Sequence, residues 1–378
     1  MSKVFQDKLL VNIYCFFLYG IIFIFFGCSA DNPDKYVTVK EPIVSNNEEE
    51  QVDINEGSSG NPQTGEPSSN FTTNKDLNDV YFVDNETGFI AGEGIVIKTT
   101  NGGESWQTVS EANLRFTSIF FEDKNIGILG GNDNFYSYAF ITVNGGNTWE
   151  QVVRFWYQND PLSVKGVHYD NNSGRMMILL NQRPNSSQNY GHIYVSNNNG
   201  LDFRRIGTDG IQGISSSVQF NNIIYTISKP FWSGSSYRIV QNELSFLKNS
   251  SENIISQKID DNNNYLEILN PNSISVNNSL SFITGDSGKF AISSDKGVNW
   301  TIRTIPNESN TALTSVSILN SDPIISTSNG KIYKSSDEGI SWTEFMDFGN
   351  NSINKIFSLN NDILFVVGEN GLLRQIQF

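Results

Sequence analysis

An eight-residue pattern that recurs five times constrains the fold of this chain more than any other feature of its sequence. It reads Ser or Thr, any residue, Asn or Asp, any residue, Gly, two further residues and then Trp or Phe. The Asn/Asp positions are spaced by 43, 54, 97 and 42 residues, and the longest spacing covers two periods. A repeat of about 47 residues predicts a closed ring or a stack of similar units. The Asn or Asp and the aromatic residue of the five copies are Asn101 and Trp106, Asn144 and Trp149, Asn198 and Phe203, Asp295 and Trp300, and Asp337 and Trp342.

Each repeat contains short runs of β-forming residues separated by turn residues. In the first repeat, four such runs begin at Val80, Gly88, Ile95 and Trp106, and no helical pattern of useful length lies between repeats. Four-stranded units repeated about an axis are typical of an all-β β-propeller. The residues from Asn70 onwards divide best into seven blades of about 44 residues, with six or eight blades as the alternatives.

Two units depart from the pattern. Residues 211–270 contain β runs but no copy of the motif, so the outer strand of the fourth unit cannot be placed from the sequence. The last unit offers only three runs, Ile353–Leu359, Ile363–Gly368 and Leu372–Phe378. Because an uncovered strand edge is a liability, we expect the N-terminal segment Asn70–Asp76 to pair beside the last run and complete the final blade.

The motif itself is interpreted as a structural turn. Its Asn or Asp can hydrogen-bond the following backbone, its Gly supplies a positive φ, and its aromatic residue can bury a large apolar surface. The copies resemble the Asp-box, or bacterial neuraminidase repeat, and the segment Gly88–Trp106 resembles propellers related to photosystem II assembly factors. The resemblance covers most of residues 78–378 and implies a β-propeller. It implies no single activity, because such families include assembly factors, receptors and glycosidases.

The N-terminus predicts export. Lys3 and Lys8 precede the apolar run Leu9–Gly27, which is the arrangement of a secretory signal peptide. Phe26-Gly27-Cys28 resembles the lipobox of bacterial lipoproteins, which implies an acylated Cys28 and an outer-membrane protein that faces either the periplasm or the cell surface. The chain then divides into a signal peptide (residues 1–27), an acidic disordered tether (28–69) and the propeller (70–378). The alternative is an uncleaved anchor, because the apolar run is just long enough to span a bilayer.

The composition disfavours several classes of function. With 25 Lys and Arg against 40 Asp and Glu, the formal net charge of −15 argues against nucleic acid binding. Two His and two Cys argue against a zinc site, and we predict no metal, cofactor or catalytic residues. The sequence also contains no Gly-x-Ser-x-Gly nucleophile motif. A glycosidase needs only two carboxylates, so a secreted carbohydrate-active hydrolase, sialidase-like or of another glycosidase type, remains the alternative function.

A binding surface is predicted on the propeller face opposite the motif copies, over blades 2 to 4. The loops between the second and third strands of these blades read as long, and long loops on a rigid scaffold often carry function. We therefore expect a membrane-tethered, non-enzymatic binding or assembly protein that recognises an envelope protein or a polysaccharide. The alternative is that these aromatic residues only pack their own loops. The predicted contact residues are Phe135, Tyr136, Trp156, Tyr157, Arg183, Tyr190, Lys229, Phe231 and Trp232.

Overall fold

A computed structural model of the chain describes most of the repeat region. The described residues are 42–43, 71–156, 162–170, 174–182, 191–206, 213–220, 223–229, 238–243, 255–258, 260–261, 264–265, 271–295, 297, 299–319 and 321–378. They belong to one compact unit, Tyr36–Phe378, whereas the second unit, Met1–Lys35, lies outside them. Every element in the described part is a β-strand except for one turn of 3-10 helix, Glu369–Gly371.

The first sheet contains seven antiparallel strands. Its spatial order is β1-β7-β6-β5-β4-β3-β2, so each strand after β1 pairs with its neighbour along the chain. Two residues of the predicted tether form β1 and pair with Trp149 and Glu150, which differs from the expectation of a tether without strands. The strands are β1 Pro42–Ile43, β2 Leu77–Phe82, β3 Gly88–Thr99, β4 Gln107–Phe121, β5 Gly127–Asn132, β6 Tyr136–Thr142 and β7 Trp149–Trp156.

Four sheets of four antiparallel strands follow along the chain, with chain neighbours paired in each. The first two comprise β8 Leu162–Asp170, β9 Arg175–Gln182, β10 Gly191–Ser196, β11 Arg204–Ile206, β12 Gly213–Phe220, β13 Ile223–Lys229, β14 Arg238–Glu243 and β15 Ile255–Lys258. A small hairpin, β16 Asp260–Asp261 and β17 Asn264–Tyr265, separates them from the next two. These comprise β18 Ser273–Val276, β19 Ser281–Thr284, β20 Lys289–Ser293, β21 Thr301–Thr304, β22 Leu313–Leu319, β23 Asp322–Thr327, β24 Lys331–Lys334 and β25 Thr343–Asp347.

The last sheet has three strands, and the innermost strands of all the sheets form a ring. The last three strands are β26 Ile353–Ser358, β27 Ile363–Gly368 and β28 Leu373–Gln377. One central cavity is lined by β2, the C-terminal half of β4, β8, β12, β18, β22 and β26. Each of these strands contacts the next, and β26 contacts β2, so the circle closes. The protein is an all-β β-propeller.

The blade count differs from the sequence prediction of seven separate four-stranded blades. In the part of the chain that the structure describes, five sheets have four or more strands. The first two repeats share one sheet, because β3 and β4 continue across the positions where separate strands were expected, with shifts of register near Glu93 and Phe116. In the degenerate fourth unit, β15 is the outer strand that the sequence could not place.

The predicted closure by an N-terminal strand is wrong within the described residues. The final sheet has only β26, β27 and β28, and residues 71–76 form no strand beside β28. The segment instead contacts this sheet through other groups. Phe71 packs in an apolar cluster with Phe365, Val367 and Leu373, and Asp76 Oδ1 accepts a hydrogen bond from the Asn370 amide at 3.0 Å. Side-chain packing and single polar contacts therefore join the first and last described segments of the repeat region.

The repeated motif forms the same turn in all five copies. In the first, Thr99 Oγ1 accepts the Gly103 amide at 2.9 Å and Asn101 Oδ1 accepts the Ser105 amide at 3.0 Å. The other copies repeat both hydrogen bonds. The motif glycine has φ between 81° and 94° in every copy. The aromatic residue is buried in the first four copies and half-buried in the fifth, so the motif joins a turn to the core between sheets.

Candidate functional site

The structure describes the side chains of only two predicted contact residues, Phe135 and Tyr136. Trp156 and Lys229 are placed by backbone alone, at the last positions of β7 and β13. Trp156 thus ends a strand, opposite Tyr136, and is not part of a connection. Five predicted residues and the predicted lipidation site lie outside the described residues: Tyr157, Arg183, Tyr190, Phe231, Trp232 and Cys28.

The β5–β6 loop is short, which corrects the prediction of a long loop in the second unit. It contains only residues 133–135, and Asp133 organises it. Asp133 Oδ1 accepts the amides of Phe135 and Tyr136, both at 2.6 Å, and Oδ2 accepts the Tyr138 hydroxyl at 2.8 Å. Burial acts against ionisation, but these three donors outweigh it and lower the pKa of Asp133 below its ordinary value. The ionised carboxylate holds a rigid turn that presents Phe135.

The two described aromatic residues have different environments. Phe135 is 69% exposed at the tip of the turn. Tyr136 is half-buried, and the Arg154 guanidinium lies 4.8 Å from the centre of its ring, a cation–π contact. Phe135 is therefore free to contact a partner, whereas Tyr136 already packs against its own sheet.

A polar groove of about 730 Å³ lies beside Phe135 at the junction of the first two units. Its walls come from the segment before β2, from β3, from the middle of β4 and from the β5–β6 loop. The β5–β6 loop and the connections between successive units lie on the face opposite the motif copies. This is the face predicted for binding. The lining residues are Asn74, Lys75, Glu93, Gly94, Ala112, Asn113, Leu114, Arg115, Asn132, Asp133 and Asn134.

Arg115 is the charged residue of this groove best placed to bind a partner. It lies where β4 passes from the first unit to the second, and its backbone pairs with Glu93 on one side and Asn132 on the other. Its side chain is exposed and makes no ion pair with any described residue. Lys75, in contrast, already bonds Glu111 at 3.2 Å. Sequence reasoning missed the groove because the Asn residues that line it resemble ordinary turn residues.

The central channel is a second, smaller cavity of about 220 Å³. Asp79, His168 and Lys355 supply its titratable groups on different inner strands, together with Tyr81. Burial lowers the pKa of His168 to about 3, and the charge of Lys355 adds to this effect. Burial also raises the pKa of Asp79, although Lys355 and hydrogen bonds oppose the shift. His168 Nε2 lies 2.9 Å from Ser217 Oγ, so a neutral histidine is held between two units.

The described residues contain neither a metal-binding cluster nor a helix suited to cross a membrane. No group of three or more His, Cys, Asp or Glu side chains is arranged to hold a metal ion. No helix in this part of the chain has the length and hydropathy that a bilayer crossing requires.

Comparison with known proteins agrees with the repeat and the fold. Residues 67–218 match the family model described as photosynthesis system II assembly factor YCF48. The chain is a propeller of the bacterial neuraminidase repeat type that resembles this assembly factor. No curated protein matches the sequence closely enough to count as a relative.

Solved structures support the same fold at low identity. A structure titled YCF48 bound to D1 peptide is 16% identical, with a TM-score of 0.60 over 81% of this chain and 94% of the other. YCF48 from Cyanidioschyzon merolae is 15% identical, with a TM-score of 0.58 over 81% and 97% of the two chains. The extracellular domain of a one-component system from B. thetaiotaomicron is 13% identical, with a TM-score of 0.57 over 82% of this chain and 39% of the other.

Proposed function

We propose that this protein is a non-enzymatic binding or assembly propeller that holds a protein partner in the groove between its first two units. The observation that carries the proposal is a polar groove lined by Arg115, which makes no ion pair with any described residue, with the exposed Phe135 next to the lining residue Asn134. Arg and aromatic side chains contribute most to binding energy in protein interfaces. The groove is therefore expected to contain the strongest contacts.

The composition of the groove favours a polypeptide as the partner. Three exposed asparagine side chains line it, and each offers both donors and acceptors to a peptide backbone: Asn74, Asn113 and Asn134. The YCF48 structure with a bound D1 peptide provides a precedent for peptide binding on a propeller of this kind. A polysaccharide is the second partner class that the sequence predicts, and the cross-linking experiment below distinguishes the two.

The alternative of a glycoside hydrolase receives less support. Such an enzyme needs a carboxyl group with a raised pKa as general acid and a second carboxylate. In the groove, which Glu93 and Asp133 both line, Asp133 has a lowered pKa and already accepts three hydrogen bonds, so it is unsuited to act as the general acid. Among the residues that line the channel, Asp79 is the only carboxylate.

We also propose that the propeller is tethered to the outer membrane through an acylated Cys28, facing either the periplasm or the cell surface. This proposal rests on the apolar run that ends at Gly27 and on the lipobox resemblance. Replacing Cys28 with Ala is expected to abolish lipid labelling and release the protein from the membrane fraction. Membrane retention of a lipid-free Cys28→Ala protein would favour the uncleaved anchor instead.

The closed circle of inner strands supports a further proposal, that the ring contains seven units. Two of these would share the seven-stranded sheet, and the final unit would have three strands. Seven inner strands around one channel are the observation that favours this count.

The function is tested by site-specific photo-cross-linking in cells at two matched positions. Phe135 on the groove side and Ile340 in the fifth motif copy are similarly exposed, at 69% and 71%. A photoreactive residue at position 135 is expected to capture one defined protein, whereas position 340 should not. Capture of glycan at position 135, or the same products from both positions, would contradict the proposal.

A further inference from the structure

In six of the seven inner strands, the pairing with the next strand of the same sheet shifts its register. The residue that directly follows the shift occupies an equivalent position in all six. The shift separates Leu77 from Asp79 in β2 and Ile353 from Lys355 in β26, and four other strands repeat it. The equivalent residues along the chain are Asp79, Ser118, Gly166, Ser216, Ser315 and Lys355. Two neighbours in the closed circle thus carry opposite charges where the others have small residues.

This position normally joins one unit to the next. Ser118 Oγ accepts the Val167 amide of the following inner strand at 3.2 Å, and Ser315 Oγ accepts the corresponding Ile356 amide at 3.2 Å. Asp79 does the same, since its Oδ2 accepts the Ile119 amide at 2.9 Å. The side chain at this position therefore accepts a hydrogen bond from a backbone amide of the next inner strand.

Lys355 cannot perform this role, because an ammonium group has no acceptor atom. The amide that it would serve belongs to Val80, and that amide instead bonds Asp79 Oδ1 of its own strand at 3.1 Å. A serine at position 355 would suit the scaffold better. A residue that violates a local structural rule points to a functional demand at that place.

The channel around Lys355 holds polar groups without partners. Lys355 makes no hydrogen bond or ion pair with any described residue, although it interacts electrostatically with Asp79. His168 Nδ1 and Gln219 Oε1 are buried without a hydrogen-bond partner in the described part of the chain. The charge of Asp79 compensates part of the charge of Lys355, but a half-buried ammonium group that donates no hydrogen bond still gains from a ligand that supplies an acceptor.

One side of the same channel is aromatic. The rings of Phe357, Tyr81 and Phe120 form an arc across three consecutive units, with centroid distances of 6.0 Å and 5.0 Å between neighbours. Ser275, Ser317 and Ser358, on β18, β22 and β26, also line the channel. The channel thus combines an ammonium group that donates no hydrogen bond to any described residue, an apolar wall and hydroxyl groups.

We propose that the central channel binds a small organic monocarboxylate, whose carboxylate pairs with Lys355 and whose body packs against the arc of Phe357, Tyr81 and Phe120. The volume of about 220 Å³ lies below the roughly 300 Å³ at which sites for drug-sized ligands begin, so the ligand is small. Asp79 repels the ligand carboxylate only weakly, because both Asp79 oxygens already accept hydrogen bonds from backbone amides and burial raises its pKa. The site does not depend on the groove proposed for a protein partner.

The test is calorimetric titration of the full chain with benzoate and with benzamide, its uncharged analogue of the same shape. Benzoate is expected to bind at least tenfold more tightly than benzamide. Lys355→Met should weaken benzoate binding at least tenfold, Lys355→Arg should retain it, and Lys124→Met, at an exposed ion pair with Asp84, should leave it unchanged.

A second measurement separates binding from a structural role of Lys355. Lys355→Ser places beside the Val80 amide the hydroxyl that serines supply in other strands, and that amide already bonds Asp79 Oδ1, so the substitution should leave the melting temperature nearly unchanged while abolishing benzoate binding. No benzoate binding by the wild type, equal binding of benzamide, or full binding by Lys355→Met would each overturn the proposal. A fall in the melting temperature of Lys355→Ser would show that Lys355 serves the scaffold, which would also overturn it.

Discussion

At the scale of single residues, the motif glycine combines two constraints that a substitution can separate. Gly103 has φ of 94°, and a Cβ there would lie 2.5 Å from the Phe365 ring of the last unit. Gly349 also has a positive φ, 68°, but a Cβ there meets nothing within 4 Å. The left-handed conformation costs a non-glycine residue about 1–2 kcal/mol, and crowding a packed site typically adds about 1–3 kcal/mol.

We therefore expect Gly103→Ala to lower the free energy of unfolding by about 2–5 kcal/mol. The control Gly349→Ala should cost only about 1–2 kcal/mol, because it bears the backbone strain alone. Denaturant unfolding of both variants measures the difference. Equal losses would show that the glycine is needed for its backbone conformation and not for contact with the last unit.

His168 gives the stability a predictable dependence on pH. Its folded pKa is about 3, below its ordinary value of 6.5, because burial disfavours the charged ring. Between these values the unfolded chain binds a proton that the folded chain does not, so stability falls as the pH falls from about 7 towards 3. His168→Gln should remove this contribution.

The measurement is the free energy of unfolding of the wild type and His168→Gln from pH 8 to pH 4. The wild type should lose more stability than the variant as the pH decreases, while the difference between them stays constant above pH 7. Parallel curves across the whole range would mean that His168 is not held neutral by burial.

At the scale of elements, the contact between the start and the end of the repeat region depends on packing. Phe71 is half-buried against Phe365 and Leu373, whereas its neighbour Thr72 is exposed. Phe71→Ala should lower the free energy of unfolding by about 1–2 kcal/mol, less than the roughly 3–5 kcal/mol of a fully buried Phe. Thr72→Ala is the control and should change it by less than about 0.5 kcal/mol. Thermal unfolding tests both, and a neutral Phe71→Ala would show that the segment does not stabilise the ring.

The elements also show what the sequence could and could not predict. The motif has fixed turn chemistry, so its five positions predicted the repeat and the all-β class. The continuity of β3 through Gly92, Glu93 and Gly94 was missed, because Gly-x-Gly reads equally well as a tight turn or as an irregular strand. Asp133 was not recognised as the centre of a short loop, since the bonds it makes depend on local geometry that spacing does not reveal. The channel charges were missed because residues 79 and 355 meet only when the ring closes.

At the scale of the whole molecule, the ring offers two different environments for ligands. The groove beside Phe135 is wide, polar and open to a macromolecule, whereas the channel is small and carries Lys355. The motif copies occupy the other face, where their polar groups form the hydrogen bonds that hold the turns. A macromolecular partner is therefore expected to bind in the groove.

The most direct test of that claim is the affinity of the protein captured at position 135 for defined variants of the propeller. Phe135→Ala combined with Arg115→Ala should raise the Kd at least tenfold, a loss of about 1.4 kcal/mol or more. Ile340→Ala, which truncates an equally exposed apolar residue on the motif face, should leave the Kd unchanged. An unchanged Kd for the double variant, or a larger effect from Ile340→Ala, would contradict binding through this groove.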